Sequence, residues 1–278
     1  MLESQWNSFC NLRDKAKDYY IASLKQFGVS YIPPNKEKPN SIYCPIRIAI
    51  EQCIEDEGNS YTVDNPIVYN HSLDLIEKDS EIKLILVGDN PGKEEQMHKN
   101  QRYLIGQAGR IADGFFARHN DLGINFRQNV IILNKTILHT PKTLVLKKLI
   151  KKDKLIEDFF ISDQIWQARF ALLLQKIFDV PVWIIGYSQL NEKGLFALYA
   201  KIIKEEIEDA HVAKREVCVR HGNFSTSKIC CLPIFLYQHF SMNCFINQLK
   251  KEYDSNLSLK ENLEKLGSKN RTKALECS

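Results

Sequence analysis

No apolar run in the chain reaches the length of about 18 residues that a bilayer-spanning helix needs, so no membrane contact is expected. The stretch MLESQWNSFCNLRDK lacks the apolar core of a signal peptide, and a cytoplasmic protein is expected. The eight cysteines form no Cys-x-x-Cys pair, and none has the Cys/His spacing of a zinc site. Reduced, mostly buried thiols are expected, with no metal and no other cofactor. A phosphate loop is missing too. The run from Gly88 to Gly92-Lys93-Glu94 is one residue short of that motif and lacks its magnesium-holding hydroxyl, which argues against ATP. There is no internal repeat and no low-complexity tract. The net charge of +4 permits a nucleic-acid partner without demanding one.

What is present is ordinary globular composition, 44% hydrophobic and 26% charged, in a chain of 278 residues that can bury a full core. Apolar runs predict strands at 83–87, 129–133, 181–185 and 217–219. Helical patterning predicts helices at 3–27, 43–54, 107–119, 144–178, 190–207 and 234–253. Strands alternating with helices argue for right-handed βαβ units and a parallel sheet. The expected fold class is α/β, a three-layer α/β/α sandwich around a four-stranded parallel sheet. Residues 1–80 read as a helical extension packed on a core at 81–254, and 255–278 as a polar, basic tail, frayed or with a weak helix at 257–266.

The chemistry-bearing residues fall at the strand ends. These are Gly88-Asp89-Asn90-Pro91-Gly92, then Asn134-Lys135-Thr136, Gly186-Tyr187-Ser188, and Arg220-His221-Gly222-Asn223-Phe224-Ser225. Parallel strands deliver such groups to one edge of the sheet, where open α/β folds bind ligands. Amides, an acid and a histidine together suit a planar polar ligand such as a base.

Three of these segments resemble motifs of the uracil-DNA glycosylase superfamily, in the same order. Gly-Asp-Asn-Pro-Gly at 88–92 is similar to G-x-N-P-G and to G-E-A-P-G, and Leu-Ile-Gly-Gln-Ala-Gly at 104–109 to F-V-G-R-A-G. Asn-Val-Ile-Ile-Leu-Asn at 129–134 looks like N-V-Y-I-T-N, and His221-Gly222-Asn223 stands for H-P-S or N-P-S. Val68-Tyr69-Asn70 is fainter. The four cysteines that hold an iron–sulfur cluster in the G-E-A-P-G branch have no counterpart, so no cluster is expected.

The resemblance implies a fold like that superfamily's and a monofunctional DNA glycosylase, a monomer acting on DNA that contains a damaged base. Such an enzyme flips out a deaminated base, uracil first, and hydrolyses its N-glycosidic bond to start base excision repair. It implies that Asn90 holds the water, that Asp89 stabilises the sugar cation and takes the water's proton, and that His221 donates to the departing base. Asn134 would read the base edge, since an amide offers both a donor and an acceptor. Gly88, Pro91 and Gly92 would shape the pocket and Tyr103 or Leu104 its wall; Asn223 takes the place of the motif's Ser, and Ser225 or Thr226 would supply the phosphate contacts. Local readings stand beside these: Asp89 as a turn cap, Asn134 as a strand-ending turn residue, Phe224 as a wedge or as core. Lys142, Lys147, Lys148, Lys151, Lys152 and Lys154 read as phosphate contacts or as a solvated helix face. Leu104 where the superfamily has Phe, and Gly222-Asn223 where it has Pro-Ser, keep an alternative open. That alternative is a catalytically weak or inactive glycosylase-like module that binds DNA or protein.

Overall fold

The structure, a computed structural model, describes residues 1–33, 44–208 and 233–276. Four strands, β1 (Leu84–Gly88), β2 (Val130–Asn134), β3 (Val182–Ile185) and β4 (Ile234–Tyr237), form one sheet in the order β2-β1-β3-β4. All pairings are parallel, with Gly88 beside Asn134, Val87 beside Ile184, and Ile185 beside Tyr237. β1 lies inside the sheet and every one of its residues is buried. Its unbroken apolar run is what a strand covered on both faces requires.

Alternate residues of that strand feed two separate cores. Ile85 and Val87 point to one, together with Phe9, Ile50, Leu146, Phe159 and Tyr199. These come from α1 (Glu3–Gln26), α2 (Pro45–Glu55), α4 (Thr143–Lys152), α5 (Lys154–Phe178) and α6 (197–208). Leu84 and Leu86 point to the other, with Phe115, Phe116, Phe245 and Leu263. Those belong to α3 (Gln107–Arg118), α7 (Cys244–Glu252) and α8 (Leu259–Arg271). The fold is a three-layer α/β/α sandwich.

Two expectations are corrected. Ile234–Tyr237 was read as the start of a closing helix but is the fourth strand, and the helix begins only at Cys244. The strand expected at 217–219 lies outside the described residues. A buried four-residue apolar run has no period that separates strand from helix, so the pattern was ambiguous there. In the tail it is the helix at 257–266 and not the frayed reading that holds: α8 runs on to Arg271 and packs on β4 through Leu259, Leu263 and Leu266. Ser258 caps it, accepting from the Glu261 amide while Glu261 accepts in return. Such a capping box contributes about 1 kcal/mol.

Cys44 and Cys53 are buried free thiols, and Cys10 and Cys244 are partly buried and free. The other four cysteines lie outside the described residues. No described helix is long and apolar enough to cross a membrane.

Candidate functional site

The carboxyl ends of the strands meet around one buried lysine. Lys135, the first residue past β2, is fully buried. Its Nζ donates to the Gly88 carbonyl at 3.2 Å, to the Ile185 carbonyl at 2.6 Å and to Asp89 Oδ1 at 2.5 Å. It also lies 5.1 Å above the Phe196 ring. All three ammonium protons therefore have acceptors, on the tips of β1 and β3 and on the turn after β1. Burial draws the lysine's pKa down, and the Asp89 carboxylate opposes that.

Asp89 has little room. Gly186, just past β3, has φ +78, and a Cβ there would sit 2.6 Å from Asp89 Oδ1. Gly186→Ala is therefore expected to push the carboxylate off Lys135 and to destabilise the fold by about 1–3 kcal/mol. Urea unfolding checks this, and a loss below about 0.5 kcal/mol would show that the Asp89 position is not confined.

Asn90 is fixed by its amide nitrogen. Nδ2 donates to Thr140 O at 2.8 Å, to Thr140 Oγ1 at 3.0 Å and to Pro91 O at 3.2 Å. Two carbonyl partners settle which end is nitrogen, so Oδ1 is the atom left to accept from a water or a ligand. The Pro91 carbonyl in turn accepts from His139 Nδ1 at 2.8 Å. His139 is fully buried, with Nε2 3.0 Å from the Tyr61 hydroxyl, and burial lowers its pKa to about 4. It stays neutral and braces the turn.

Asn134 is only 2% exposed, and its Nδ2 has no partner among the described residues. Its Oδ1 lies where a Gly88 Cβ would come within 2.5 Å, so only glycine admits this amide beside β1. A buried donor left unpaired costs about 1–3 kcal/mol, which a ligand acceptor would recover.

The loop after β4 reads Gln238-His239-Phe240-Ser241-Met242-Asn243. His239 Nδ1 lies 2.8 Å from Ser241 Oγ and accepts from the Ser241 amide at 3.1 Å; with Nδ1 as acceptor, the proton of the neutral ring is on Nε2. Burial lowers the His239 pKa; Asp89 raises it and Lys135 lowers it, so both charges are felt at the ring. Met242 and Asn243 hold left-handed backbone, φ 52 and 55, and Met242 is 78% exposed.

The expected wall residues sit deeper than expected. The Tyr103 hydroxyl is committed to the Val68 carbonyl at 2.5 Å, and the side chain packs in the core. That removes it as an open stacking surface. Leu104 is buried beside it with φ 50, and its carbonyl accepts from Arg127 Nη2 at 2.9 Å. Glu95 is buried below this segment and accepts from the Gly92 amide at 3.1 Å. Burial pushes its carboxyl up to about 7 from the ordinary 4.5. The unfolded chain would release that proton first, so this group lowers stability progressively as pH rises from 4.5 to 7.

The structure thus brings Gly88, Asp89, Asn90, Pro91, Gly92 and Asn134 together at one sheet edge. His221, Asn223, Ser225 and Phe224 lie outside the described residues. His221 was assigned as the histidine after the fourth strand, and in the described sheet that place belongs to His239. The signal was available as His-x-Ser one residue past an apolar run, but reading 234–253 as one helix concealed it. Lys135 was placed at the end of the second strand by the sequence but given no role. Three of the six lysines of the basic cluster are in ion pairs: Lys148 with Glu57, Lys152 with Asp56 at 2.7 Å, and Lys154 with Glu157 and Asp158. Such exposed pairs are screened by solvent and hold little of the fold together. No protein-family model matches the chain, and no curated protein matches it either.

Proposed function

We propose that the chain is a metal-free, monofunctional DNA glycosylase of the uracil-DNA glycosylase type. One observation carries this reading. A buried amide with an unpaired donor, an amide with a free acceptor, a carboxylate and a neutral imidazole stand at the carboxyl edge of one parallel sheet. Asn134 would read the edge of a flipped base, its Nδ2 meeting O4 and its Oδ1 meeting N3–H of uracil. Asn90 Oδ1 would hold the attacking water. An amide is a poor base, so its task is placement, and the glycosidic bond opens toward a sugar cation before attack is complete. Asp89, held by Lys135, would stabilise that cation. His239, with its proton on Nε2, would donate to O2 as charge moves onto the departing base, so that the donor counts most in the transition state. His239-Phe240-Ser241 suits the H-P-S slot of the resemblance better than 221–223 does. Met242, apolar, exposed and two residues past Phe240, has the character of a wedge that fills the gap in the duplex.

The test is single-turnover incubation with a labelled oligonucleotide carrying one uracil, single-stranded or opposite G, followed by alkaline scission. Wild type is expected to cleave at the uracil, and Asn90→Ala to be slower by about 10²-fold as the positioned water is lost. If wild type cleaves neither uracil nor hypoxanthine, the enzyme reading falls. Tight binding to such DNA without cleavage would instead identify a glycosylase-like binding module, a reading that the Lys135 hold on Asp89 favours.

A further inference from the structure

The segment 61–70, which precedes β1, lies against both loops that build the site. Beside the loop after β2, Ile67 bridges Leu138 antiparallel. There the Val68 amide donates to the Ile137 carbonyl at 2.9 Å, and the His139 amide to the Pro66 carbonyl at 2.8 Å. Just past the turn after β1, Gln96 Oε1 accepts from the Asn65 amide at 3.1 Å, and Asp64 Oδ2 accepts from the His98 amide at 3.0 Å. Tyr61 is gripped from both sides. Lys93 Nζ lies 4.7 Å above its ring, and its hydroxyl meets His139 Nε2 at 3.0 Å.

Chemistry sets the direction of each bond. The Pro91 carbonyl can only accept, so His139 Nδ1, 2.8 Å away, carries the ring's proton. Nε2 of the neutral ring is then an acceptor, and the Tyr61 hydroxyl donates to it. The same carbonyl accepts from the Thr140 amide at 3.3 Å and from Asn90 Nδ2 at 3.2 Å. The Thr140 hydroxyl donates to the Lys142 carbonyl at 3.1 Å, which leaves its oxygen to accept from Asn90 Nδ2 at 3.0 Å. One directed chain thus runs from Tyr61 through His139 and the Pro91 carbonyl to the Asn90 carboxamide.

We propose that Tyr61 and His139 are positioning residues, a relay that fixes which way the Asn90 carboxamide faces and so where its Oδ1 stands. The region before β1 is then part of the site, because it supplies the relay's first donor. The use of the relay, to place the attacking water, rests on the base-excision reading; its existence does not.

The experiment begins with NMR of the full chain, ¹⁵N-labelled at histidine and asparagine, at neutral pH. His139 is expected to show a neutral ring protonated at Nδ1. A wild-type ring protonated at Nε2 would overturn the relay, and that result needs no variant to fold. Tyr61→Phe removes only the hydroxyl and is expected to move the His139 Nε2 resonance and the Asn90 side-chain amide together. An Asn90 amide that does not respond would also overturn it. Steady-state excision from the uracil oligonucleotide is the kinetic arm. Tyr61→Phe is expected to lower kcat about 10-fold with KM within about twofold, since the water is misplaced while DNA contacts are kept. His139→Leu is expected to lose about 10²-fold, and His139→Asn, whose amide keeps a donor near the Nδ1 place, to return within about 10-fold of wild type. Unchanged kcat in Tyr61→Phe, or a raised KM instead, would overturn the positioning role and leave the glycosylase reading standing. The expected NMR response with no excision by wild type would keep the relay and remove that reading.

Discussion

His239→Leu is expected to slow uracil excision by about 10²–10³-fold in kcat, the usual loss when one donor to a developing anion is removed. The reason is local. The Ser241 amide occupies Nδ1, so the neutral ring has a single donor to offer, Nε2–H. Leucine keeps the bulk and removes that donor. Binding of uracil-containing DNA should change far less than kcat, because the base is not yet charged in the ground state. The pH profile gives an independent check. Burial and the nearby Lys135 lower the pKa of His239, so the working neutral ring is kept until the pH is below the imidazole's ordinary 6.5. The acid limb of kcat should therefore lie below 6.5 and disappear in His239→Leu. Unchanged kcat in the variant would remove His239 from the chemistry.

The largest stability effect is expected at Lys135. Lys135→Met strips the donor from Asp89, the Gly88 carbonyl and the Ile185 carbonyl at once. Breaking a buried pair from one side typically costs about 3–5 kcal/mol, because the remaining charge is left uncompensated. For a chain of this size that corresponds to a fall in Tm on the order of 10 °C. Adding Asp89→Asn to Lys135→Met should recover part of the loss, since the stranded carboxylate is then gone. Denaturant unfolding of wild type, both single variants and the double variant completes the cycle. A single-variant loss under about 1 kcal/mol would mean that the three acceptors find water, and that the lysine is not the keystone of the strand tips.

Most of the architecture was legible before the structure. The first three strands are apolar runs closed by polar turns, and Asp89, Asn90 and Asn134 follow from their position at those ends. The fourth strand was not legible, because Ile-Phe-Leu-Tyr at 234–237 is too short to show a period. With it went His239. The C-terminal helix was legible only as a weak one at 257–266, because Leu259, Leu263 and Leu266 keep a helical stripe inside a Lys- and Asn-rich stretch, and its extent to Arg271 and its packing on β4 were not. Lys135 was legible as a strand-end residue, but its burial was not. Its burial depends on acceptors contributed by the turns and ends of other strands, and those meet it only in the folded sheet.

The sheet order has a consequence in time. β4 joins the edge next to β3, far along the chain from β1, and His239 is synthesised 149 residues after Asn90. At about 5–20 residues per second, a nascent chain spends on the order of 10 s with its turn after β1 already made and its imidazole not yet made. On the proposed reading, the emerging polypeptide is therefore inert toward DNA until its last strand has docked.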